Sequence, residues 1–327
     1  MEYSKRLGHI TDEQFQAALN THDLGRFQQA KPVPAGLFGQ NVFITTDKGE
    51  YVFRGAPHYS WQFKNEKYFA DRLHESTGVP VPHPYILNEN PSLFGWEYVI
   101  MPRMSGLNLS DDLAEENLPD SARSAIARAQ GAMLREAQKL TNGFCGKYDL
   151  ATRSIKPFES PFVDVYYGEI LSLLNRAATH NDKTPPADLR WVNEVLDQSR
   201  DAISADFTPT FVMQDYKPGN MTADIVDGQW EITGLFDLME ASFGHGEADI
   251  SRLFCVYVDN GRDDLARLFR QSYLQEHGDI NGFAQRFPVF MLHDRSIIWE
   301  WVQRTDNVWW EKSWTFKQWI DPYLNPG

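Results

Sequence analysis

Apolar and polar positions alternate in two rhythms along this chain, and the rhythm changes about a third of the way in. Thr11 precedes a stripe of Phe15, Ala18 and Leu19, with Gln14 three residues on. That spacing predicts a short helix opened by a capping box. Val42–Thr46 and Tyr51–Arg54 read as strands joined by the turn Asp47-Lys48-Gly49. Trp61–Ser76 reads as a helix, with Phe69 and Leu73 four apart and Gly78 just past its end. Val79-Pro80-Val81-Pro82-His83-Pro84 must be extended, because each proline disfavours helix in the residue before it. Trp96–Met101 reads as a further strand.

From Leu107 onward the helical period dominates. Ala122, Ile126, Ala129, Met133, Ala137 and Leu140 form one stripe behind a cap at Asp120 or Ser121, and Asn142-Gly143 ends it. Phe162–Ala177 and Leu189–Ile203 read as two more helices, and the Asp-, Pro- and Thr-rich segment Thr179–Asp188 as the loop between them. Strands first and helices after predict an α+β protein. A chain of 327 residues is long for one core, so two lobes are expected.

Phe211–Asp249 interrupts the helical pattern. Phe211-Val212-Met213 runs into Asp215 and Asn220, and Ile232–Phe236 runs into Asp237. Asp227-Gly228 between them reads as a hairpin turn. A hairpin formed by these two runs would gather Asp215, Asn220 and Asp237 at one end of a sheet. Two carboxylates and an amide suffice to orient a hydroxyl and to hold Mg²⁺ on a nucleotide's phosphates.

Met213-Gln214-Asp215-Tyr216-Lys217-Pro218-Gly219-Asn220 resembles the catalytic loop of the aminoglycoside phosphotransferase and choline kinase-like family. Gly234–Ala241 is similar to that family's metal-binding segment, in the family's order and spacing. The resemblance implies a bilobal protein-kinase-like fold. A small antiparallel-sheet N-lobe (1–104, ending in the hinge) would carry the nucleotide, and a larger, mainly helical C-lobe (105–327) the catalysis and the acceptor.

It also implies roles. Asp215 would orient or deprotonate the acceptor hydroxyl. Lys217, two residues past it, is a lysine that many members of the family lack; its position, not the resemblance, suggests that it stabilises charge on the transferring phosphoryl group. Asn220 and Asp237 would ligate Mg²⁺, with ATP or GTP as donor. Gly36 and Gly39 would belong to the loop over the nucleotide. Arg54 would take the place of the basic strand residue, paired with Glu66 on the following helix. Pro102 and Met104 would offer adenine a carbonyl and an N–H. Asp249 would order the loop. Where the family has His-Gly-Asp this chain has Met213-Gln214-Asp215, and methionine fills the volume without the ring's hydrogen bond.

Charge and composition narrow the acceptor. With 31 basic and 45 acidic side chains the net charge is −14, which repels nucleic acid and attracts cations. Solubility accounts for that sign, and so does a cationic small-molecule acceptor. Six of the ten tryptophans fall between Trp299 and Trp319, where they either pack helices or wall a pocket for a sugar or cation. Glu240, Asp259, Glu300 and Asp306 are the acidic candidates for acceptor contacts. An amino sugar of the aminoglycoside kind is the first acceptor expected. Choline, homoserine, a sugar or another small alcohol are alternatives, and a non-catalytic nucleotide-binding module is the reading of a different class. Cys145 and Cys255 form no spaced cluster, the N-terminus has no apolar leader, and no run reaches 18 apolar residues. A cytoplasmic protein with no membrane span is therefore expected.

Overall fold

The structure is a computed structural model that describes residues 2–33, 39–110, 118–275 and 282–324. Gly36 lies outside the described residues. A short hairpin of β1 (Glu2–Ser4) and β2 (Gly8–His9) leads into α1 (Asp12–Asn20). The expected capping box opens α1: Gln14 N donates to Thr11 Oγ1 at 3.2 Å, and Thr11 N donates to Gln14 Oε1 at 3.0 Å.

The first sheet has five antiparallel strands in the order β3 (Phe27–Pro32), β4 (Asn41–Thr46), β5 (Glu50–Gly55), β7 (Tyr98–Pro102) and β6 (Ile86–Asn88). Along β4 the burial alternates, with Val42, Ile44 and Thr46 inside, as period two requires. Leu7, Ile10, Phe15, Leu19, Val42, Ile44, Phe53, Tyr98 and Ile100 form a core of their own under this sheet. Phe53 is its centre, packed edge-on against Phe15 and stacked with Tyr98.

Helix α2 (Gln62–Ser76) crosses between β5 and β6 in the chain but packs away from that small core. Phe63, Phe69 and Leu73 join the larger cluster, where the Phe69 ring lies 5.6 Å from Phe211 and 5.3 Å from Phe243. This carries Glu66, on the same helix, toward the second half of the molecule.

After β7 the chain turns at Gly106, whose φ of 99° only glycine adopts freely; a Cβ there would meet the Ala223 carbonyl oxygen at 2.6 Å. It then enters β8 (Leu107–Asn108), which pairs with β12 (Met221–Val226), itself paired with β13 (Gln229–Leu235). A four-stranded sheet runs β10 (Ser154–Pro157), β9 (Gly146–Asp149), β14 (Ser242–Gly244), β11 (Thr210–Val212). The rest of the described chain is chiefly helical: α3 (Asp120–Ala137), α4 (Phe162–Ala178), α5 (Pro186–Ser204), α6 (Ile250–Asp259), α7 (Asp263–Gln275), α8 (Phe283–Thr305) and α9 (Phe316–Ile320). Helix α3 ends at Ala137, before the Leu140 that the stripe included, and α5 begins at Pro186, inside the expected loop. Helix α8 is buried on most sides, from Phe287 through Leu292 to Trp299. Trp299, Trp310 and Trp319 stack there with ring separations of 4.3–5.5 Å, which is helix packing. No described helix is long and apolar enough to cross a membrane.

One expectation is corrected. The strand opposite Ile232–Phe236 is not Phe211–Met213. Asp227-Gly228 does make the turn, but between β12 and β13, with Val226 opposite Gln229. Phe211 pairs with Phe243 in the other sheet. Two apolar runs flanked a turn residue, and the pattern did not say that a third strand, Met221–Val226, was the nearer partner.

Candidate active site

The corrected hairpin still gathers the expected groups at one end. Asp215 and Asn220 stand on the loop that enters β12, and Asp237 on the turn that leaves β13. Phe236 N donates to the Asn220 carbonyl at 3.1 Å, tying the two segments together. Asn220 Nδ2 donates to the Asp215 carbonyl at 2.9 Å and to Asp215 Oδ2 at 3.1 Å. With its nitrogen so committed, the amide oxygen is the atom it presents elsewhere. Asp237 holds a left-handed backbone, φ 67°, and Gln214, beside Asp215, has φ 71°. Such a conformation in a non-glycine residue costs about 1–3 kcal/mol, so the surrounding contacts must impose it.

Those contacts are visible. The buried Asp249 carboxylate accepts from Met213 N at 2.6 Å and Gln214 N at 2.8 Å. Burial pushes its pKa up to about 7 against the pull of those two amides, and the charges of Asp215 and Asp294 add to the rise. On the other segment, Asn65 Nδ2 of α2 donates to the carbonyls of Met239 at 2.6 Å and Ala241 at 3.1 Å. The turn after Asp237 is thereby pinned to the helix that carries Glu66.

Arg54 and Glu66 meet as their order suggested. Arg54 Nη1 donates to both Glu66 oxygens at 2.7 and 2.6 Å, and Nη2 reaches Asp237 Oδ1 at 3.2 Å. Tyr85 donates its hydroxyl to Glu66 Oε2 at 2.9 Å. Burial opposes the guanidinium charge, yet Glu66 and Asp237 outweigh it and raise the Arg54 pKa. Burial also raises the Glu66 carboxyl, against the pull of Arg54. Arg54 Nε is buried with no hydrogen-bond partner.

Asp215 is surrounded by cations. Lys217 Nζ lies 2.6 Å from Oδ2, and Arg252 Nη1 lies 3.2 Å from Oδ1. Sequence reasoning missed Arg252 and its anchor Asp294, which accepts from Arg252 Nε at 2.5 Å and, through its other oxygen, from Arg295 at 2.9 and 2.6 Å. Burial works against the Asp294 charge, but the two arginines prevail and hold its pKa down at about 2. The available signal was charged residues set in apolar runs: Arg252 between Ile250 and Leu253, and Asp294-Arg295 after Phe290-Met291-Leu292.

The remaining expected residues fall at varied distances from this centre. Glu240 follows the Asp237 turn. Solvent reaches it, but loss of bulk hydration raises its pKa; Asp237, Asp215 and Glu169 add repulsion and Lys147 opposes. Glu169, on α4, is held down at about 2 chiefly by His293, whose Nε2 lies 3.3 Å away. Asp259 accepts from the Tyr323 hydroxyl and lies 4.0 Å from Arg295. Glu300 is taken up by Arg304 at 3.0 Å and by His180 at 3.9 Å. Asp306 is exposed at the end of α8, in the left-handed region at φ 54°. Gly39 has φ 57° and gives its carbonyl to Ser4 Oγ. Pro102 ends β7 opposite Tyr51, and Met104 packs where a Cβ on Gly234 would meet it at 2.7 Å. A cavity of about 730 Å³ lies elsewhere, lined by Trp191, Ser199 and Pro288 among others, and none of the groups around Asp215 borders it.

Asp237 and the amide oxygen of Asn220 are the oxygen donors on which the expected metal role would call. Among the described residues no group of three or more His, Cys, Asp or Glu could hold a metal. Two hard oxygens fit Mg²⁺, which keeps several waters and takes its remaining ligands from phosphate, and they do not fit a zinc centre.

Comparisons with known proteins bear on the family and the fold. A family model described as the phosphotransferase enzyme family matches residues 29–285. A homoserine kinase of Methylobacillus flagellatus is 32% identical over 85 residues, a match that spans 26% of this chain and 26% of that protein. Three solved structures share the fold. One, from Ralstonia eutropha JMP134, is provisionally described as an aminoglycoside phosphotransferase; it is 15% identical, with 97% of this chain and 96% of that one covered at a TM-score of 0.64. A thermostable mutant of aminoglycoside phosphotransferase APH(4)-Ia, in ternary complex with ADP and hygromycin B, is 15% identical, with 94% and 95% covered at a TM-score of 0.63. The GDP complex of aminoglycoside 2'-phosphotransferase-IIIa is 14% identical, with 96% and 99% covered at a TM-score of 0.61.

Proposed function

The chain belongs to the phosphotransferase enzyme family, and from that premise we propose that it moves the γ-phosphoryl group of a nucleoside triphosphate to the hydroxyl of a small, cationic molecule. The observation that carries this is the convergence of Asp215, Asn220 and Asp237, cross-linked through the Asn220 amide and backed by the Arg54–Glu66 pair. Solved relatives in complex with GDP and with ADP plus hygromycin B support a nucleotide donor and a small-molecule acceptor.

Asp215 orients the acceptor hydroxyl and takes its proton, a contribution of about 10²–10⁴ in rate. Lys217, already on Asp215 Oδ2, is placed to neutralise charge on the transferring group. Arg54 retains one buried donor, Nε, that a phosphate oxygen would satisfy. Asp237 and Asn220 would hold Mg²⁺, which when bound offsets charge on the phosphate oxygens. The hinge at Pro102 and Met104 and the segment around Gly36 and Gly39 are the proposed adenine and phosphate covers.

The acceptor class follows from charge. Asp237, Asp215 and Glu169 repel the charge on Glu240 while Lys147 opposes them, and this group of acids favours an amino group on the acceptor. An amino sugar is the first reading. A small amino alcohol is the second, favoured by the short match to a homoserine kinase.

A panel of hygromycin B, other aminoglycosides, L-homoserine, choline and simple sugars, each with Mg²⁺–ATP and Mg²⁺–GTP, tests it. Acceptor-dependent release of nucleoside diphosphate, lost in Asp215→Asn, is expected. Tight nucleotide binding with no transfer to any acceptor would leave the non-catalytic module as the reading.

A further inference from the structure

We propose that Arg252 is a positioning residue for Asp215, and that a largely buried chain of alternating charges behind it makes helix α8 part of the phosphotransfer machinery. The inference rests on the role given to Asp215 above and extends it to residues that no motif assigns.

The local geometry comes first. Helix α6 starts at the end of the segment that orders the loop. Asp249, just before it, grips the backbone N–H groups of Met213 and Gln214, and Arg252, in its first turn, reaches the Asp215 side chain. One element thus fixes both the peptide and the carboxylate. The carboxylate has two oxygens and the contacts divide between them. Oδ2 faces Lys217 and Asn220, whereas Oδ1 faces Arg252. A carboxylate rotates about a broad, roughly two-fold torsion. Contacts on Oδ2 alone leave that rotation open, and a third contact on Oδ1 closes it.

Arg252 is itself held. Its Nε donates to Asp294 Oδ1 at 2.5 Å, so two of its nitrogens are committed to two different carboxylates. Asp294 gives its second oxygen to Arg295. Arg295 lies over the rings of Trp319 at 5.4 Å and Tyr323 at 5.3 Å, and Tyr323 in turn donates to Asp259. The order of charge is Asp215, Arg252, Asp294, Arg295, Asp259: negative and positive in strict alternation. Arg252, Asp294 and Arg295 have side chains only 14%, 7% and 4% exposed. Charges so buried bring no stability that a hydrophobic set of the same volume would not match. This chain ends at a partly exposed carboxylate in the candidate active site, and there it has a use: the protein interior is wired to the orientation of one side chain.

Lysine could not replace it. Its single ammonium cannot span Asp215 and Asp294 as two guanidinium nitrogens do. Because Nη1 and Nε are both occupied by carboxylates, Arg252 is not expected to contact the nucleotide. Its loss should lower kcat and leave the nucleotide KM in place.

The test uses the full chain with Mg²⁺–ATP and water as acceptor, read as phosphate release, in the parent, Arg252→Lys, Arg252→Met and Asp215→Asn. A misplacement of about 1 Å costs on the order of 10²-fold. Arg252→Met should therefore lose about 30- to 100-fold in kcat with nucleotide KM within about two-fold, and Arg252→Lys should fall between it and the parent. Crystal structures of the parent and Arg252→Lys supply a readout independent of turnover, in which the Asp215 carboxylate should rotate in the variant.

If Asp215→Asn is inactive while Arg252→Met keeps parental kcat, the positioning role is wrong and the phosphotransferase reading stands. If nucleotide KM rises as much as kcat falls, Arg252 holds the site as a whole and the proposal is overturned. If Asp215→Asn keeps parental turnover, or the parent itself does not turn over, the reading of Asp215 fails. The structures then decide the geometry: an unmoved Asp215 in Arg252→Lys overturns the proposal, and a rotated one upholds it.

Discussion

Replacing Glu66 by glutamine removes one charge from the pair that joins the first sheet to helix α2, beside the turn that carries Asp237. In the parent one nitrogen, Arg54 Nη1, donates to both Glu66 oxygens at 2.7 and 2.6 Å, between side chains 6% and 2% exposed. Removing one partner of a buried pair costs about 3–5 kcal/mol, because the other charge is left uncompensated. Two features reduce that here. Asp237, 3.2 Å from Nη2 and partly exposed, still faces Arg54. The glutamine carbonyl still accepts one hydrogen bond, for about 1 kcal/mol. The net expectation for Glu66→Gln is a loss of about 2–3 kcal/mol. Tyr85→Phe serves as the graded control. It deletes the hydroxyl that donates to Glu66 Oε2 at 2.9 Å and should cost about 1.5–2 kcal/mol.

Urea unfolding followed by tryptophan fluorescence reads both variants. With a slope of about 2–3 kcal/mol/M, the Glu66→Gln midpoint should drop by about 1 M. A second arm reads function: freed from Glu66, Arg54 shifts its charge to Asp237, so the Mg²⁺-dependent part of nucleotide affinity should weaken in titration calorimetry. An unchanged midpoint, or a Tyr85→Phe variant less stable than Glu66→Gln, would show that this pair does not hold Arg54.

Three further outcomes are expected. Asp237→Ala should abolish the Mg²⁺ dependence of nucleotide binding, and an intact dependence in calorimetry would remove Asp237 from the ligand set. Lys217→Ala, which deletes the ammonium 2.6 Å from Asp215, should lower kcat by at least about ten-fold with little change in nucleotide affinity; steady-state rates equal to the parent's would exclude it from the chemistry. Asp294→Asn should be less stable than the parent near pH 6 and converge on it in acid. The folded pKa of Asp294, about 2, is depressed below the ordinary carboxylate value, so its ionisation stabilises the fold above about pH 4 and that gain is lost as pH falls toward 2. The displacement is worth about 2 kcal/mol, and an equal gap between parent and variant urea midpoints at pH 6 and pH 3 would contradict it.

The parts legible in the sequence share one property: their partners lie within a local pattern or a fixed order. The α1 capping box spans three residues, and β4 with β5 spans a tight turn. Arg54 and Glu66 are 12 residues apart, and it is the family resemblance that pairs the strand's basic residue with the acid on the next helix. What could not be read depended on distance in the chain. Arg252 meets Asp215 from 37 residues away and Asp294 from 42, and only the packing of α6 against α8 brings them together. The hairpin was misassigned for a related reason. Phe211-Val212 is apolar because it is buried in one sheet beside Phe243, not because it pairs with Ile232 in another. Hydrophobicity reports burial and does not say against which neighbour.

Met213 is where sequence and structure bear on each other most directly. A histidine there would hydrogen-bond through its ring, and methionine cannot. In this protein the loop is held instead from its backbone: Asp249 takes the N–H groups of residues 213 and 214 whatever side chain position 213 carries. The Met213 side chain is fully buried and packs in the large core, so its contribution is volume. Orientation of Asp215 then falls to Asn220, Lys217 and Arg252, which together contact both of its oxygens. The ring's hydrogen bond is one way to fix this loop, and two buried amide contacts with three side-chain contacts are another. Loss of the histidine is therefore a weaker argument against catalysis than loss of Arg252 would be.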